Sequence, residues 1–556
     1  AFKNAAEKVA SGNLFYFSLA DQEASVESSI HLQAIAFGLF ASLAGTVCLI
    51  VIAQAVARQV LAATGELPLL RALGASPRQL WLAAMVPAVA ASLTAAALGA
   101  ILAILLSPLT PLGLARVAEP SPGLSLDVTV LLAGAAFLVL ITALLAAYPA
   151  WRATRYAEAA RSRDRAEPRM SAVAEGLGRA GLPASAAAGI RLALTPGNGR
   201  LRVPVLAGLA GCIVGVAAAS AALTFRASLD HLLTTPRLFG WAWDAEVSPN
   251  SGGPSGGIPV PSGPQIRYVG RGTGRELAID GERVNAYGID AVRGAVPPVI
   301  IEGRAPQAAD EIMLGTRTDA AKRLGDSVSA GAGGTSRPMT LVGRGLFPPQ
   351  DENGQLGVGA FMTFAGMKRI VGDAAGPGLD IFPVVFTPGT NLAMETRALE
   401  AAYGGPGTVE LPAPPTDLIN FGSVDQLPGV LALVLVVAGV ATLAHTLVTA
   451  VRRRRRDLAI LKTLGFTRGQ IASTVAWQSL TLIAIAVLVG LPAGIAAGRW
   501  AWSLFASAQG TIAEPLVPLA LVLLTIPAAV VLAELVALLP GRLAARTRPA
   551  LVLRTE

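Results

Sequence analysis

Seven apolar stretches limit what this chain can fold into more than any other feature of its sequence. Each is as long as the roughly 20 residues that an α-helix needs to cross a bilayer. The predicted spans are 32–54, 80–106, 127–149, 203–225, 427–450, 472–498 and 515–539. The sequence is 53% hydrophobic and only 14% charged. This composition is typical of a membrane protein and excludes an ordinary soluble domain.

The positions of the arginines predict how these spans are oriented, because Lys and Arg gather in the cytoplasmic loops of membrane proteins. The segments assigned to the cytoplasm are 55–79, 150–202, 451–471 and 540–556. The segments that then face the outside are 107–126, 226–426 and 499–514. The assignment puts residue 1 outside and the C-terminus inside. It also explains the net charge of +8 without a nucleic-acid partner.

A segment that occurs twice indicates that the chain is built from two related halves. Residues 66–80 (ELPLLRALGASPRQL) and 457–471 (DLAILKTLGFTRGQI) align at a constant offset, 457 − 66 = 391. Gly99 and Gly490 continue the alignment at the same offset, so the first three spans recur as the last three. A span and an outside domain precede the second trio. We therefore expect the same before the first trio, with residues 1–31 as the end of that domain.

The expected fold is an α-helical polytopic membrane protein in two parallel repeats, with seven spans here and eight in the intact protein. We expect the outside region to be an α+β extracytoplasmic domain. Its predicted strands are 298–301 and 337–347, its predicted helices are 316–325 and 390–403, and Pro249 to Pro264 is predicted to be a mobile loop. Trp241 and Trp243 are read as interface or core aromatic residues rather than as a ligand site.

The expected domain division follows from these assignments. Residues 1–31 are the end of a first outside domain, and 32–150 form the first three-span unit. A cytoplasmic linker, a single span and the outside α+β domain follow as 151–202, 203–225 and 226–426. Residues 427–540 form the second three-span unit, and 541–556 form a cytoplasmic tail.

The repeated segment predicts a short helix, a sharp break and a long helix. Gly74 is expected to end the short helix in a left-handed conformation. Ser76 is the predicted N-cap of the long helix and Gln79 completes a capping box. Thr467 and Gln470 repeat this box in the second copy.

Two equivalent short helices on the cytoplasmic face suggest docking to two copies of a soluble partner. The leucines predicted to enter a groove on the partner are Leu67, Leu70, Leu73, Leu458, Leu461 and Leu464. The residues predicted at the rim are Glu66, Arg71, Asp457 and Lys462, and Gly74 and Gly465 end the helices. The alternative is a pair of ordinary cytoplasmic loops that were duplicated with the rest of the gene.

The chain shows no signature of catalysis or of metal binding. It lacks the G-x-x-x-x-G-K-[ST] phosphate cradle. Its histidines, His31, His231 and His445, are scattered, and Cys48 and Cys212 lie in apolar spans. We therefore expect no catalytic residue, no metal site and no cofactor bound by this chain. ATP hydrolysis, with its ATP and Mg²⁺, is then expected in a separate subunit.

Small and acidic residues inside the spans are further candidates. Glycines spaced four apart let helices approach closely, and they lie at Gly211, Gly215, Gly490, Gly494 and Gly498. Static packing is one reading and a sliding surface is the other. Glu534 is an intramembrane acid, which is a functional candidate by default, although snorkelling or pairing with an arginine would also explain it. The arginine run 452–456 is read as an anchor that contacts lipid headgroups.

The pattern E-L-x-x-L-R-x-L-G-A-S-x-x-Q-L resembles the loop of the FtsX-like permease family of ABC transporters, which includes MacB-type and LolC/LolE-type proteins. The segments PGRLAARTRPALVLR (540–554) and PAWRATRYAEAARSR (149–163) resemble the ends of the family's membrane units. The segment GRAPQAADEIMLGTRTDAAKRLGDSV (303–328) resembles its outside domains. The resemblance implies that 66–74 and 457–465 are coupling helices that contact a nucleotide-binding subunit.

The implied function is that of a multi-pass permease subunit in a bacterial plasma membrane. Its partners would be two copies of an ABC ATPase subunit, membrane lipid, and an extracytoplasmic protein or lipid substrate. ATP-driven motion would pass through the spans to the outside domains for export or extraction. One alternative is an FtsX-like regulator that relays ATPase motion to a cell-wall hydrolase. Another is an ATP-independent carrier with parallel repeats.

Overall fold

The computed structural model describes ten continuous parts of the chain and several isolated positions between them. These parts are 72–109, 126–159, 181–194, 205–249, 259–295, 298–332, 335–348, 356–372, 379–415 and 426–546. The predicted first span, 32–54, lies outside them except for isolated helical positions such as Ile52. Residues 1–31, most of 151–202, most of the loop 249–264, and Glu66, Leu67 and Arg71 also lie outside the described residues.

Ten α-helices are present in the described parts. In chain order they are α1 (Pro77–Leu106), α2 (Val128–Ala159), α3 (Ala184–Leu194), α4 (Val205–Thr234), α5 (Phe364–Val371), α6 (Leu392–Tyr403), α7 (Gln426–Arg453), α8 (Arg455–Thr463), α9 (Arg468–Ala508) and α10 (Leu519–Ala545). Short 3-10 helices follow α1 and α4, at Ser107–Leu109 and Pro236–Phe239.

Six of these helices are long and apolar enough to cross a membrane, namely α1, α2, α4, α7, α9 and α10. They correspond to the second through seventh predicted spans. The prediction of a helical polytopic membrane protein with an extracytoplasmic α+β domain is confirmed.

Helices α2, α4 and α9 each continue about ten residues past their predicted ends. Buried side chains explain the extensions of α4 and α9. Helix α4 continues past residue 225 to Thr234, because Phe225, Leu229 and Leu232 lie one turn apart and are all buried. Helix α9 continues past residue 498 to Ala508, since Trp502 and Phe505 are buried on one face. Gly510, with φ +70°, then ends the regular structure.

The chain divides into two compact units. One contains the described residues of 227–422 and 500–516, and the other those of 37–226, 423–499 and 517–556. In the helical unit, helices α3, α4, α7, α8, α9 and α10 share one hydrophobic core. Leu447, Ile471 and Ala533 are among its buried residues. A separate core joins α1 and α2 through residues such as Leu80 and Ala146.

The other unit is built on a ten-stranded mixed sheet. Its strands are β1 (Ala245–Val247), β2 (Ile266–Ile279), β3 (Glu282–Arg293), β4 (Val299–Gly303), β5 (Glu311–Gly315), β6 (Ser327–Ala332), β7 (Thr335–Leu346), β8 (Ala360–Met362), β9 (Leu379–Phe386) and β10 (Val409–Glu410). They follow the order β10-β1-β9-β2-β3-β8-β5-β7-β4, and β6 pairs with β2 and β7. β2 and β3 form a long hairpin whose turn, Asp280-Gly281, has φ +47° and +96°, as a type I′ turn requires.

The predicted strands 298–301 and 337–347 and the predicted helix 390–403 are confirmed as β4, β7 and α6. The predicted helix 316–325 is wrong, because this segment is a series of turns. The Arg344 guanidinium donates to the carbonyl oxygens of Gly315, Thr318, Asp319 and Lys322 at 2.8–3.1 Å. These bonds occupy carbonyls that a helix would use for its own ladder.

Candidate functional site

The break between the short and long helices has the same geometry in both repeats. In the first copy, Ser76 N–H donates to Gln79 Oε1 at 2.8 Å and Gln79 N–H donates to Ser76 Oγ at 3.4 Å. In the second copy, Thr467 N–H donates to Gln470 Oε1 at 2.8 Å and Gln470 N–H donates to Thr467 Oγ1 at 3.3 Å. The two predicted capping boxes are confirmed.

The hydrogen bonds that close the short helices also match. Ala75 N–H donates to Leu70 O at 3.1 Å, and the equivalent Phe466 N–H donates to Leu461 O at 3.1 Å. Gly74 and Gly465 have φ values of +93° and +97°, a conformation that residues other than glycine adopt at a cost. The backbone therefore reverses in the same way at both places.

Next to this reversal, the last leucine of each short helix projects into solvent. Leu73 is 78% exposed and its counterpart Leu464 is 72% exposed. In the second copy, Ile460 lies one turn before Leu464 and is also exposed, as is Asp457. The accessible surface of α8 and its C-terminal end thus includes Asp457, Ile460 and Leu464.

The prediction that Leu458 enters a partner's groove is wrong. Leu458 is only 2% exposed and belongs to the core of the helical unit, and Leu461 packs partly against that same core. In a helix with about 100° between successive residues, Leu458 and Ile460 lie about 160° apart, on opposite faces. Leu458 and Leu461 therefore attach α8 to its own bundle.

Lys462 ties α8 to the end of the last spanning helix. Its Nζ donates to the carbonyl oxygen of Ala545 at 2.7 Å, and Ala545 is the final residue of α10. The last carbonyls of a helix lack partners inside the helix and carry partial negative charge, so a lysine there is favourable. Burial, together with the charge of Arg468, lowers the pKa of Lys462. Lys462 was predicted to lie at the rim of the contact with a partner. In the structure its ammonium group is hydrogen-bonded within the chain.

Arg454 bonds to a second short helix, α3, which was not predicted from the sequence. Its Nη1 donates to Leu192 O at 3.1 Å near the end of α3, and burial lowers its pKa while Asp457 opposes that effect. For Arg454 the predicted lipid-headgroup contact is wrong, because the side chain is buried. The run ASAAAGIRLAL of α3, small and apolar within an arginine-rich linker, is the signal that could have revealed this helix.

The spaced glycines lie where α4 contacts its neighbours. Gly490 and Gly498 face α4 so closely that an added Cβ would lie 2.7 Å from the carbonyl oxygens of Ile213 and Ala221, respectively. Gly494 lies between them, against Ser220 and Ala217.

On its other side α4 faces α7. A Cβ on Gly211 would lie 2.7 Å from Thr442 Cγ2, and one on Gly215 would lie 3.5 Å from Leu435 O. Helix α4 is thus held between α7 and α9 by surfaces of small residues.

Glu534 is partly exposed on α10, next to the buried Ala533. The Ala533 carbonyl accepts a hydrogen bond from Ser479 Oγ at 3.0 Å, which fixes this part of α10 against α9. A functional role for Glu534 stays a prediction.

The loop after α9 is fixed within the sheet unit. Thr316 Oγ1 donates to Gly510 O at 2.9 Å, and Gly510 lies so close to Arg317 that a Cβ would approach its Cδ to 2.8 Å. Leu516 N–H donates to Ser228 Oγ at 3.0 Å. The sequence predicts this loop only as an outside connection, because the partners of the loop are distant in the chain.

Comparison with known proteins agrees with this architecture. Residues 38–157 and 429–549 each match the family described as FtsX-like permease C-terminal. No curated protein matches the sequence at a significant level. Among solved structures, the crystal structure of the periplasmic region of MacB from Actinobacillus actinomycetemcomitans is 14% identical, with a TM-score of 0.21. The match covers 34% of this chain and 97% of that chain.

Permeases of this family are non-enzymatic membrane subunits of ABC transporters, whose partner is an ABC ATPase. The two matched segments contain the two copies of the short helix and its capping box. The chain is a multi-pass plasma-membrane protein in which the FtsX-like permease C-terminal domain is matched twice.

Proposed function

We propose that the solvent-exposed ends of the two short helices, 66–74 and 457–465, are the docking sites for two copies of an ABC ATPase subunit. ATP and Mg²⁺ would be bound by that subunit and not by this chain. Motion of the docked subunits would pass through the spans to the extracytoplasmic domain. There it would drive export or extraction of a protein or lipid substrate.

The observation that carries this proposal is the matched exposure of Leu73 and Leu464. Large apolar side chains that project into water beside charged side chains are typical of an interface anchor. The same exposure in both repeats, on backbones closed by the same hydrogen bonds, fits two equivalent partners. Ile460 and Asp457 would extend the contact in the second repeat.

The contacts of α8 suit the transmission of force. Leu458 and Ala459 are buried in the bundle, and Lys462 joins α8 to the end of α10. Two residues after Gly465, the capping box at Thr467 starts α9. A displacement of α8 would therefore move both α9 and α10.

The length of α9 favours transmission across the membrane. At about 1.5 Å per residue, its 41 residues extend about 60 Å, or twice the roughly 30 Å hydrocarbon core. The loop that follows it bonds to Thr316 of the sheet unit and to Ser228 at the end of α4. The static contact at Gly490, Gly494 and Gly498 would make α4 and α9 move together.

The test is a paired substitution of the exposed leucines, Leu73→Asp with Leu464→Asp. A buried apolar anchor contributes about 2 kcal/mol or more to an interface, so each change should weaken docking at least about tenfold. The measurement is co-purification with a co-expressed ABC ATPase subunit, together with stimulation of its ATP hydrolysis. We expect both to be lost in the pair and reduced in each single variant.

Leu392→Asp is the control, because Leu392 is also an exposed leucine, at 47%, and lies in the extracytoplasmic domain. It should leave both readouts unchanged. Melting temperatures like that of the unsubstituted chain would show that the paired variant is folded. Retained assembly and stimulation in a folded paired variant would contradict the docking proposal.

A further inference from the structure

A cavity of about 430 Å³ lies in the sheet unit where the chain leaves α4. Its lining combines aromatic, proline and arginine side chains. The residues are Thr235, Pro236, Arg237, Trp241, Ala242, Trp243, Asp244, Arg267, Ala295 and Pro412. The volume lies in the range of sites that hold small organic ligands.

Two tryptophans give the cavity a rigid apolar wall. Trp241 and Trp243 are 4% and 6% exposed and pack edge to face with centroids 6.0 Å apart. Trp243 is held in turn by Tyr287, at 6.0 Å.

The charged groups of the lining favour an anion. Arg237 and Arg267 are exposed and present guanidinium groups, which bind phosphate or carboxylate through two parallel hydrogen bonds. The acid in the lining is Asp244, whose Oδ2 already accepts the Phe386 N–H at 2.9 Å. The Asp244 carboxylate is thus partly neutralised by a hydrogen bond within the protein. The guanidinium groups of Arg237 and Arg267 then determine the charge that the cavity presents to a ligand.

The lining residues lie close in sequence to two membrane spans. Thr235 directly follows the last residue of α4, and Pro412 precedes Gln426, the first residue of α7, by 426 − 412 = 14 residues. Tryptophans are enriched at the level of the lipid headgroups. A ligand of this cavity could therefore come from the outer surface of the bilayer.

We propose that this cavity binds the phosphate-bearing headgroup of an anionic lipid. The phosphate lies between Arg237 and Arg267, and the glycerol and the first acyl carbons contact Trp241, Pro236 and Pro412. The site does not depend on whether an ATPase docks at the short helices.

The test uses the full chain in phosphatidylcholine nanodiscs that contain a photoreactive phosphatidylglycerol, with the labelled peptide identified by mass spectrometry. We expect labelling of 235–244, reduced at least about tenfold by Arg237→Gln with Arg267→Gln, since each guanidinium supplies charge-assisted bonds. Arg271→Gln removes the same charge from the same strand outside the lining and should leave labelling unchanged. Ala295→Phe should also reduce labelling, because it adds bulk to the cavity lining without removing a core side chain.

The proposal would be overturned if residues 235–244 were labelled equally in the unsubstituted chain, in the Arg237→Gln/Arg267→Gln variant and in Ala295→Phe. Undiminished labelling with Ala295→Phe alone would also overturn it. Inorganic phosphate alone serves as a competitor in the same nanodiscs. If it displaces the lipid as well as soluble short-chain phosphatidylglycerol does, the ligand is a free anion and the lipid assignment is wrong.

Discussion

Replacing Gly494 by alanine is expected to destabilise the helical unit more than any other single methyl group added to the described spans. A Cβ at this position would overlap both Ser220 Oγ and the carbonyl oxygen of Ala217 on α4. Rotation of a side chain cannot relieve the second overlap, because Ala217 O belongs to the backbone. The helices must separate instead, and overpacking of this kind costs about 3 kcal/mol.

The loss can be followed through the thiol of Cys212, which is buried in the same core. In a Cys48→Ser background, we expect Gly494→Ala to lower the temperature at which Cys212 reacts with a thiol-specific dye. Gly99→Ala is the matched control, because an added Cβ there meets no described atom within 4 Å. If the two variants melted together, the close approach of α4 and α9 would be wrong.

The second large effect concerns Glu246, a carboxylate buried at one end of the sheet. Glu246 lies directly opposite Glu410 in the antiparallel pair of β1 and β10, where like charges repel. Burial, reinforced by the Glu410 charge, raises the pKa of Glu246 to about 8. The indole of Trp243 opposes this shift. Among the described residues, the Trp243 indole forms no hydrogen bond to Glu246 Oε2. Burial therefore has the largest effect on the pKa of Glu246.

The raised pKa means that this corner of the domain is most stable in acid. Below the ordinary pKa of 4.5, Glu246 is protonated in both the folded and the unfolded chain. Its contribution to the free energy of unfolding is then fully present. Between 4.5 and about 8 only the unfolded chain ionises, so the free energy of unfolding falls as pH rises. The loss is complete above about 8 and amounts to at most about 5 kcal/mol.

Glu246→Gln should remove this dependence, since an amide stays neutral at every pH. We would measure hydrogen exchange of the β1 and β10 amides in the full chain between about pH 5 and pH 9, corrected for the intrinsic exchange rate. Protection should fall with pH in the unsubstituted chain and fall much less in the variant, where Glu410, whose pKa is also raised by burial, still ionises. Glu282→Gln, at an exposed carboxylate, should behave like the unsubstituted chain. A fall of the same size in Glu246→Gln would contradict the assignment.

Features set by neighbouring residues could be predicted from the sequence. The capping boxes of Ser76 and Thr467 depend on a side chain three residues away, and the reversals at Gly74 and Gly465 depend on one glycine each. The spans follow from length and hydrophobicity alone. These parts of the account needed no knowledge of what lies elsewhere in the fold.

Features set by distant residues could not be predicted. Which face of α8 is buried depends on the packing of the whole bundle, so Leu458 and Ile460 were indistinguishable as apolar residues of one short helix. The turns after Gly315 depend on Arg344, 29 residues further along. The opposition of Glu246 and Glu410 depends on strand register across the sheet.

The most direct test of the account labels the exposed leucine positions of both repeats with a membrane-impermeant maleimide. Leu73→Cys and Leu464→Cys would be introduced singly into a chain that carries Cys48→Ser and Cys212→Ser. The account predicts no labelling from outside intact cells, labelling of both cysteines in inverted vesicles, and protection of both when the ATPase subunit is bound. Labelling of either cysteine from outside, or equal labelling with and without the bound ATPase, would contradict it.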